Sequence, residues 1–307
     1  MRLRGVSLAG VLAIAVAAAL AGCAASTAPD PRGRILAVGA ENQYTSVISQ
    51  VGGRYVDAVS ILSNPNTDPH TFEASAQVAR TISAARLIVQ NGLGYDAFMS
   101  KLEAASPGSG RAVITAQDVL RLPDSTRNPH LWYSPGTMPA VAKSIAAALS
   151  KQQPAHRRYF QQNLVRFDTS LESLNAALAN FRVEHPHVAV ATTEPVADYL
   201  LDAAGIDNRT PWALQAAIMN DTDPAPQDVA AQDALLRNHR VAVFVYNEQV
   251  TDSITATYLK LAATNGIPAV GVYETMPTDG YDYQTWMEAE LRAIERAVTT
   301  GKSTTRL

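Results

Sequence analysis

The feature that most constrains this chain is a long helical stretch near its middle. Residues 154–185, PAHRRYFQQNLVRFDTSLESLNAALANFRVEH, open on Pro154 and contain no further Pro and no Gly. Tyr159, Leu164, Phe167, Leu171, Leu174, Leu178 and Phe181 recur at spacings of three to five, mostly along one helical stripe. At 1.5 Å per residue, about 30 residues reach about 45 Å, longer than a local crossover within one domain needs. The stretch reads as a rigid strut between two lobes. Two ordinary helices broken near Asp168, Thr169 and Ser170 are the alternative.

On both sides of the strut, strand-like and helix-like segments alternate, the pattern of a parallel sheet covered by helices. ILAVGAE (35–41), YVDAVSIL (55–62), RLIVQ (86–90) and AVIT (112–115) read as strands, with SAQVARTISAA (75–85) and YDAFMSKLEAA (95–105) as helices between them. The second series has HVAVATTE (187–194), VAVFVYNE (241–248) and PAVGVYE (268–274) as strands. PVADYLLDAAG, PQDVAAQDALLRNH and DSITATYLKLAATNG are its helices. A chain of 307 residues, 47% hydrophobic, is long enough for two domains of about 100–150 residues. The expectation is an α/β fold of two lobes, each with a mostly parallel sheet covered by helices, joined by one long rigid spine helix. The lobes are placed at 34–153 and 186–307, with the spine at 154–185.

The N-terminus reads as an export signal over 1–22: Arg2 and Arg4, then the apolar run VSLAGVLAIAVAAALA at 6–21. Sixteen apolar or small residues are too few to span about 30 Å of hydrocarbon as a helix, so a removed signal fits better than a permanent anchor. Leu20-Ala21-Gly22-Cys23 resembles a bacterial lipobox, which implies a lipid on Cys23 and attachment to the outer face of the cell membrane. Residues 23–33 then form a tether. Removing 1–22 leaves 23 basic against 28 acidic residues, and Cys23 is the only cysteine, which excludes disulfides and thiolate metal sites in the body of the chain. With no basic run longer than Arg157-Arg158, nucleic acid is excluded as the expected partner.

Two histidines follow prolines in similar contexts, NTDPHTFE (66–73) and NPHLWYSP (128–135). His70 and His130 lie in loops past predicted strands, while Glu194 and Glu274 terminate predicted strands of the second lobe. In open α/β sheets, ligands bind outside the carboxyl ends of strands, which is where all four residues fall. Two imidazoles and two carboxylates suit a divalent first-row metal. A preceding Pro restricts the loop, so little further entropy is lost when the ring is aimed at a metal. His185 and His187, flanking Pro186, read as surface residues, and His156 and His239 as helix-end residues. NGLGYD (91–96) lacks the third glycine of a nucleotide loop and reads as a turn. Phe72, Trp132, Tyr133 and Tyr273 read as core or cleft wall.

The segment DPHTFEASAQVARTISAARLIVQNGLGYDAF (68–98) resembles the first ligand region of the solute-binding proteins of zinc and manganese ABC importers. NPHLWYSP resembles their second, the strut resembles the spine joining their lobes, and TTEPVADYLLDAAGI (192–206) falls where their third ligand stands. By this resemblance His70, His130 and Glu194 are metal ligands. The fourth ligand of that family is usually an aspartate after the last strand; here Glu274 is favoured for directly following the strand, with Asp279 and then Asp282 as alternatives. The resemblance implies a monomeric, lipid-anchored receptor that captures Mn²⁺ or Zn²⁺ and delivers it to a membrane permease driven by a separate ATPase. The rigid strut itself predicts small lobe motion on binding, so release is expected from a local shift of the segment around Glu274. Other readings are an exported metal-dependent hydrolase, for which no HExxH, GxSxG or SxxK motif is present, and a surface adhesin.

Overall fold

A computed structural model describes residues 33–64, 72, 74–108, 110–250, 252–277 and 280–307. The expected signal, Cys23, nearly all of the tether, His70 and Asp279 lie outside these residues. Arg34–Leu307 forms one compact unit.

The first half begins with β1 (Ile35–Glu41), α1 (Asn42–Gly52), β2 (Val56–Leu62), α2 (Ala76–Ala84), β3 (Leu87–Gln90) and α3 (Ala97–Ala105). It continues with β4 (Ala112–Thr115), α4 (Ala116–Leu120) and α5 (Thr137–Gln152). Its four strands are parallel in the order β2-β1-β3-β4, with Ile35 opposite Val56 and Leu87 opposite Ala112. The apolar runs of β1 and β3 explain this: a strand buried on both faces needs helices above and below it. Ser75 caps α2 by accepting from the Val78 amide.

The second half repeats the plan. Its first members follow the spine helices α6 and α7 described below: β5 (Ala189–Thr192), α8 (Asp198–Ala204), β6 (Asp207–Asn208), α9 (Trp212–Met219) and α10 (Pro226–Arg237). β7 (Val243–Asn247), α11 (Ser253–Thr264), β8 (Ala269–Val272) and α12 (Tyr283–Thr300) complete it. The sheet is again parallel, in the order β6-β5-β7-β8. In each lobe the first strand is flanked by the second and third, so the chain reverses its winding direction between first and third. The carboxyl edge at that reversal is where a ligand crevice opens.

The spine runs as α6 (Arg157–Ser170) and α7 (Glu172–Glu184) with Leu171 alone between them. Leu171 keeps right-handed helical angles, φ −84° and ψ −9°, so the interruption stays within helical space. The buried stripe is Phe160, Phe167, Leu171, Leu174, Leu178 and Phe181. One continuous apolar cluster takes in these residues together with Val47 and Ile145 of the first lobe and Val190, Leu200 and Trp286 of the second. A core shared in this way resists independent movement of the lobes, since opening them would expose it.

Several observed strands end earlier than their apolar runs. β5 stops at Thr192 and β8 at Val272, which leaves Glu194 and Glu274 two residues beyond their strands. Beyond α12, the C-terminal segment returns along β8. Thr304 bridges Val270 in parallel, the Gly271 amide donates to the Thr304 carbonyl at 2.9 Å, and Tyr246 Oη donates to the Thr305 carbonyl at 3.0 Å.

Candidate metal centre

His130 enters the space between the lobes from the loop after α4, as the residue that opens a single 3₁₀ turn, Leu131–Tyr133. It is fully buried. Asn128 Oδ1 accepts from the His130 backbone amide at 3.0 Å and lies 2.8 Å from Nδ1. This contact assigns the proton to Nδ1 and presents Nε2 to the centre as a lone-pair donor. Nε2 lies 3.8 Å from Glu274 Oε2. Asn128 also donates through Nδ2 to the Pro195 carbonyl at 2.8 Å, and Tyr199 Oη donates to the Asn128 carbonyl at 3.0 Å. The histidine loop is thus fastened to the residues that follow Glu194.

Glu194 and Glu274 are 3% and 0% exposed. Asn247, at the end of β7, donates through Nδ2 to Oε1 of Glu194 at 3.1 Å and to Oε1 of Glu274 at 2.6 Å. Tyr95 Oη donates to Glu274 Oε2 at 2.8 Å from the opposite lobe. The backbone of the Glu274 turn is equally fixed. Gln249 Oε1 accepts from the amides of Glu274 and Thr275, at 2.6 and 2.8 Å, and Gln43 Nε2 donates to the Glu274 carbonyl at 3.1 Å. The rings of Tyr95 and Trp132 stand 5.9 and 5.4 Å from that of His130, walling the site with apolar surface.

Three of the four favoured ligands are therefore brought together, and His70 lies outside the described residues. Of the alternatives for the fourth position, Asp282 is a helix cap: its Oδ1 accepts from the Thr285 amide at 3.0 Å in a capping box that starts α12. Among the described residues, three ligand atoms within 4.8 Å of one another occur only at Glu184, His185 and Glu295, near the surface end of α7. His130, Glu194 and Glu274 are spaced more widely, with the Asn247 amide between the two carboxylates.

Sequence reasoning misses several residues of this centre. Asn247 and Tyr95 stand at a strand end and in the NGLGYD turn, where the strand-end rule could have found them. Glu41, the last residue of β1, is 0% exposed, and neither carboxyl oxygen accepts a hydrogen bond among the described residues. Burial, with repulsion from Asp96 and Glu274, pushes its carboxyl well above the usual range. Asp96 is pushed to about 6 by burial, opposed by the Asn91 and Gly92 amides that donate to it.

A cleft of about 450 Å³ opens beside the centre, lined by Tyr95, Arg127, Pro129, Trp212 and Met219, with the Arg127 guanidinium 5.9 Å from the Trp212 ring centroid. A larger hollow of about 620 Å³, between α12 and the C-terminal segment, contains none of these donors.

Two α/β lobes on a helical spine, with buried nitrogen and oxygen donors from both near the carboxyl edges of their sheets, have the architecture of a two-lobed binding protein. Residues 38–297 match the family described as ZnuA, zinc-uptake complex component A, periplasmic, and the chain belongs to that family. The manganese ABC transporter substrate-binding lipoprotein PsaA of Streptococcus mitis is 25% identical over 248 residues, 76% of this chain and 79% of that protein. The zinc-binding lipoprotein AdcA of Streptococcus pneumoniae (strain ATCC BAA-255 / R6) is 21% identical over 258 residues, 78% of this chain, and this chain spans about half of its length (51%). The fold matches that of a Mn-bound periplasmic metal binding protein from Candidatus Liberibacter asiaticus at a TM-score of 0.71 and 16% identity, over 86% of this chain and 100% of that one.

Proposed function

We propose that this chain is an extracytoplasmic receptor that captures Mn²⁺ or Zn²⁺ and delivers it to an ABC permease energised by a separate ATPase. The observation that carries the reading is the convergence of His130, Glu194 and Glu274 from both lobes into one buried centre. Neutral imidazole and hard carboxylates without thiolate suit first-row divalent ions. The names of PsaA and AdcA, one a manganese and one a zinc binder, support the same cargo range. The ligand set is His70, His130, Glu194 and Glu274, with Asp279 as the alternative fourth donor. Lipidation of Cys23 would hold the receptor, a monomer, at the outer face of the cell membrane, and the lobes are those delimited above at 34–153 and 186–307.

Carriage is favoured over hydrolysis because the donors are closed in by side chains of both lobes. A hydrolytic zinc keeps an open position that substrate and water can reach. Thermal unfolding of chelator-treated protein lacking residues 1–23, with and without each metal, tests the reading. Metal at 100 times its dissociation constant should add about 2.7 kcal/mol to the folded state. His130→Ala and Glu194→Ala should remove most of that gain. A parent protein that neither metal stabilises would sink the reading.

A further inference from the structure

The two sheets share one winding plan, so corresponding strand ends can be compared. The first strand of the C-terminal lobe, β5, delivers Glu194 two residues past its end, and the third, β7, delivers Asn247. In the N-terminal lobe, β1 ends on Glu41, and β3 is followed directly by Asn91. Glu41 therefore occupies the place in its lobe that Glu194 occupies in the other. Both stand at the carboxyl edge where the winding direction reverses.

Among the described residues, the Glu41 side chain has no hydrogen-bonding role. It is fully buried and both carboxyl oxygens lack a donor among the described residues, although a carboxylate deprived of water and of partners costs several kcal/mol. Its chief neighbours in the electrostatic field among the described residues are Asp96, Glu274, Tyr44 and Tyr95, which bring it no positive charge. The next two residues fasten the Glu274 turn to this lobe. Asn42 exchanges two hydrogen bonds with the backbone of Met276, at 2.9 and 2.8 Å, and Gln43 donates to the Glu274 carbonyl. The backbone that carries Glu41 is thus tied directly to the turn that carries Glu274.

We propose that Glu41 is a further donor to the bound metal, so that the cargo is held by three carboxylates together with imidazole. This rests on the receptor reading and deepens it by naming the kind of cargo. Structural zinc sites are almost always satisfied by four donors in a tetrahedron, with a preference for nitrogen and sulfur. A larger set rich in carboxylate oxygen suits a harder ion that accepts five or six donors, which is Mn²⁺ rather than Zn²⁺. Intrinsic affinity for Zn²⁺ remains high at such a site, so selectivity shows in how each metal depends on Glu41 rather than in which binds more tightly.

The test compares the parent, Glu41→Gln, Glu41→Ala and His130→Ala. Mn²⁺ and Zn²⁺ affinities come from competition with a fluorescent chelator, and the coordination number from the visible absorption of the Co²⁺ form. Glu41→Gln keeps the volume of the side chain and removes the charge, so the metal-free protein should melt at or above the parent's temperature. Its Mn²⁺ affinity should fall about tenfold or more, on the scale known for partners of metal ligands, with a much smaller loss for Zn²⁺. The weak Co²⁺ band of a five- or six-coordinate site should become the intense band of a four-coordinate one. Glu41→Ala, which offers no oxygen at all, should show the same changes. An unchanged Co²⁺ spectrum, unchanged Mn²⁺ affinity or tighter binding in Glu41→Gln overturns the assignment, and so does an equal loss for the two metals. If His130→Ala loses metal while Glu41→Gln does not, only Glu41 is wrongly assigned. If the parent binds neither metal, the receptor reading falls with it.

Discussion

Tyr95 of the N-terminal lobe donates its hydroxyl proton to Oε2 of Glu274 in the C-terminal lobe, 2.8 Å away. Burial, reinforced by the negative charge of Glu274, pushes the Tyr95 hydroxyl well above its ordinary range, so it remains a donor throughout physiological pH. The contact orients a candidate ligand and crosses the cleft. Tyr95→Phe keeps the ring and deletes the bond, whose net worth is about 1 kcal/mol. Metal affinity is expected to fall about fivefold, mostly through faster release, which stopped-flow chelator chase would resolve. Identical release from both proteins would mean that Glu274 is held by the rest of its network alone.

Asn128 is expected to matter more. Its Oδ1 accepts from both the backbone and the ring Nδ1 of His130, and so sets which ring nitrogen faces the candidate centre. Asn128→Ala should weaken metal binding about 10- to 100-fold, with a smaller loss in Asn128→Asp, which retains the acceptor. Isothermal titration of the two variants separates the acceptor from the packing contribution. Equal losses would assign the effect to the Nδ2 contact with Pro195 instead.

Glu290 provides a pH signature of the folded state. It is fully buried among α12 and the 3₁₀ turn, and Oε1 accepts from Tyr133 Oη at 2.9 Å and Trp286 Nε1 at 2.8 Å. Burial pushes its carboxyl to about 8, against the lowering effect of those two donors. An unfolded chain would release this proton near 4.5. Below that pH both states keep the proton and the contribution to stability is full. From there to about 8 only the folded state keeps it, and stability falls by about 1.4 kcal/mol per pH unit for one proton. Above that range both states are ionised and the slope ends. Denaturant unfolding of chelator-treated protein from pH 5 to pH 9 should therefore be flatter for Glu290→Gln by one proton, and parallel curves would contradict the assignment.

Gly53 joins α1 to β2 with φ +52°, and a Cβ placed there would run into Tyr159 Oη of the spine. Gly53→Ala meets both a left-handed backbone and a clash. A loss of about 1–3 kcal/mol is expected, read from the denaturant midpoint. Gly53 packs against Tyr159 and Asn163 of the spine and touches none of the described candidate donors, so 1:1 metal binding is expected to persist in the folded fraction.

Much of this architecture is legible because parallel strands advertise themselves as unbroken apolar runs. The strands of 35–41, 55–62, 86–90 and 112–115 match β1 to β4 within one residue at each end. The strut reads first as one helix, but the alternative break near Asp168, Thr169 and Ser170 falls one residue from the observed interruption at Leu171, which no Gly or Pro marks. The helices α1, α5 and α12 are absent from the sequence reading, although Asp282 and Thr285 mark the start of α12. A two-residue strand such as β6 carries too little pattern to be seen at all. At the candidate centre, chemistry and position single out His130, Glu194 and Glu274, which the structure buries near one another. Glu41 is not singled out, because an acidic residue at a strand end resembles any solvated boundary. Its complete burial depends on which elements close over it, and a linear sequence does not display that.

The return of residues 303–307 along β8 has a consequence for how copies of this protein coexist. β8 is the last strand of its sheet, and an open parallel edge offers its amides and carbonyls to any neighbouring chain. Here the Ser303 hydroxyl meets the Ala269 amide, Thr304 exchanges bonds with Ala269 and Gly271, and the Arg306 guanidinium pairs with Glu248 at 2.7 Å. The edge is occupied by the chain's own segment and is closed by a charged residue. Wherever copies of this protein meet at high concentration, a free edge would turn such encounters into sheet-to-sheet adhesion. Tags or truncations at this end would unseal that edge.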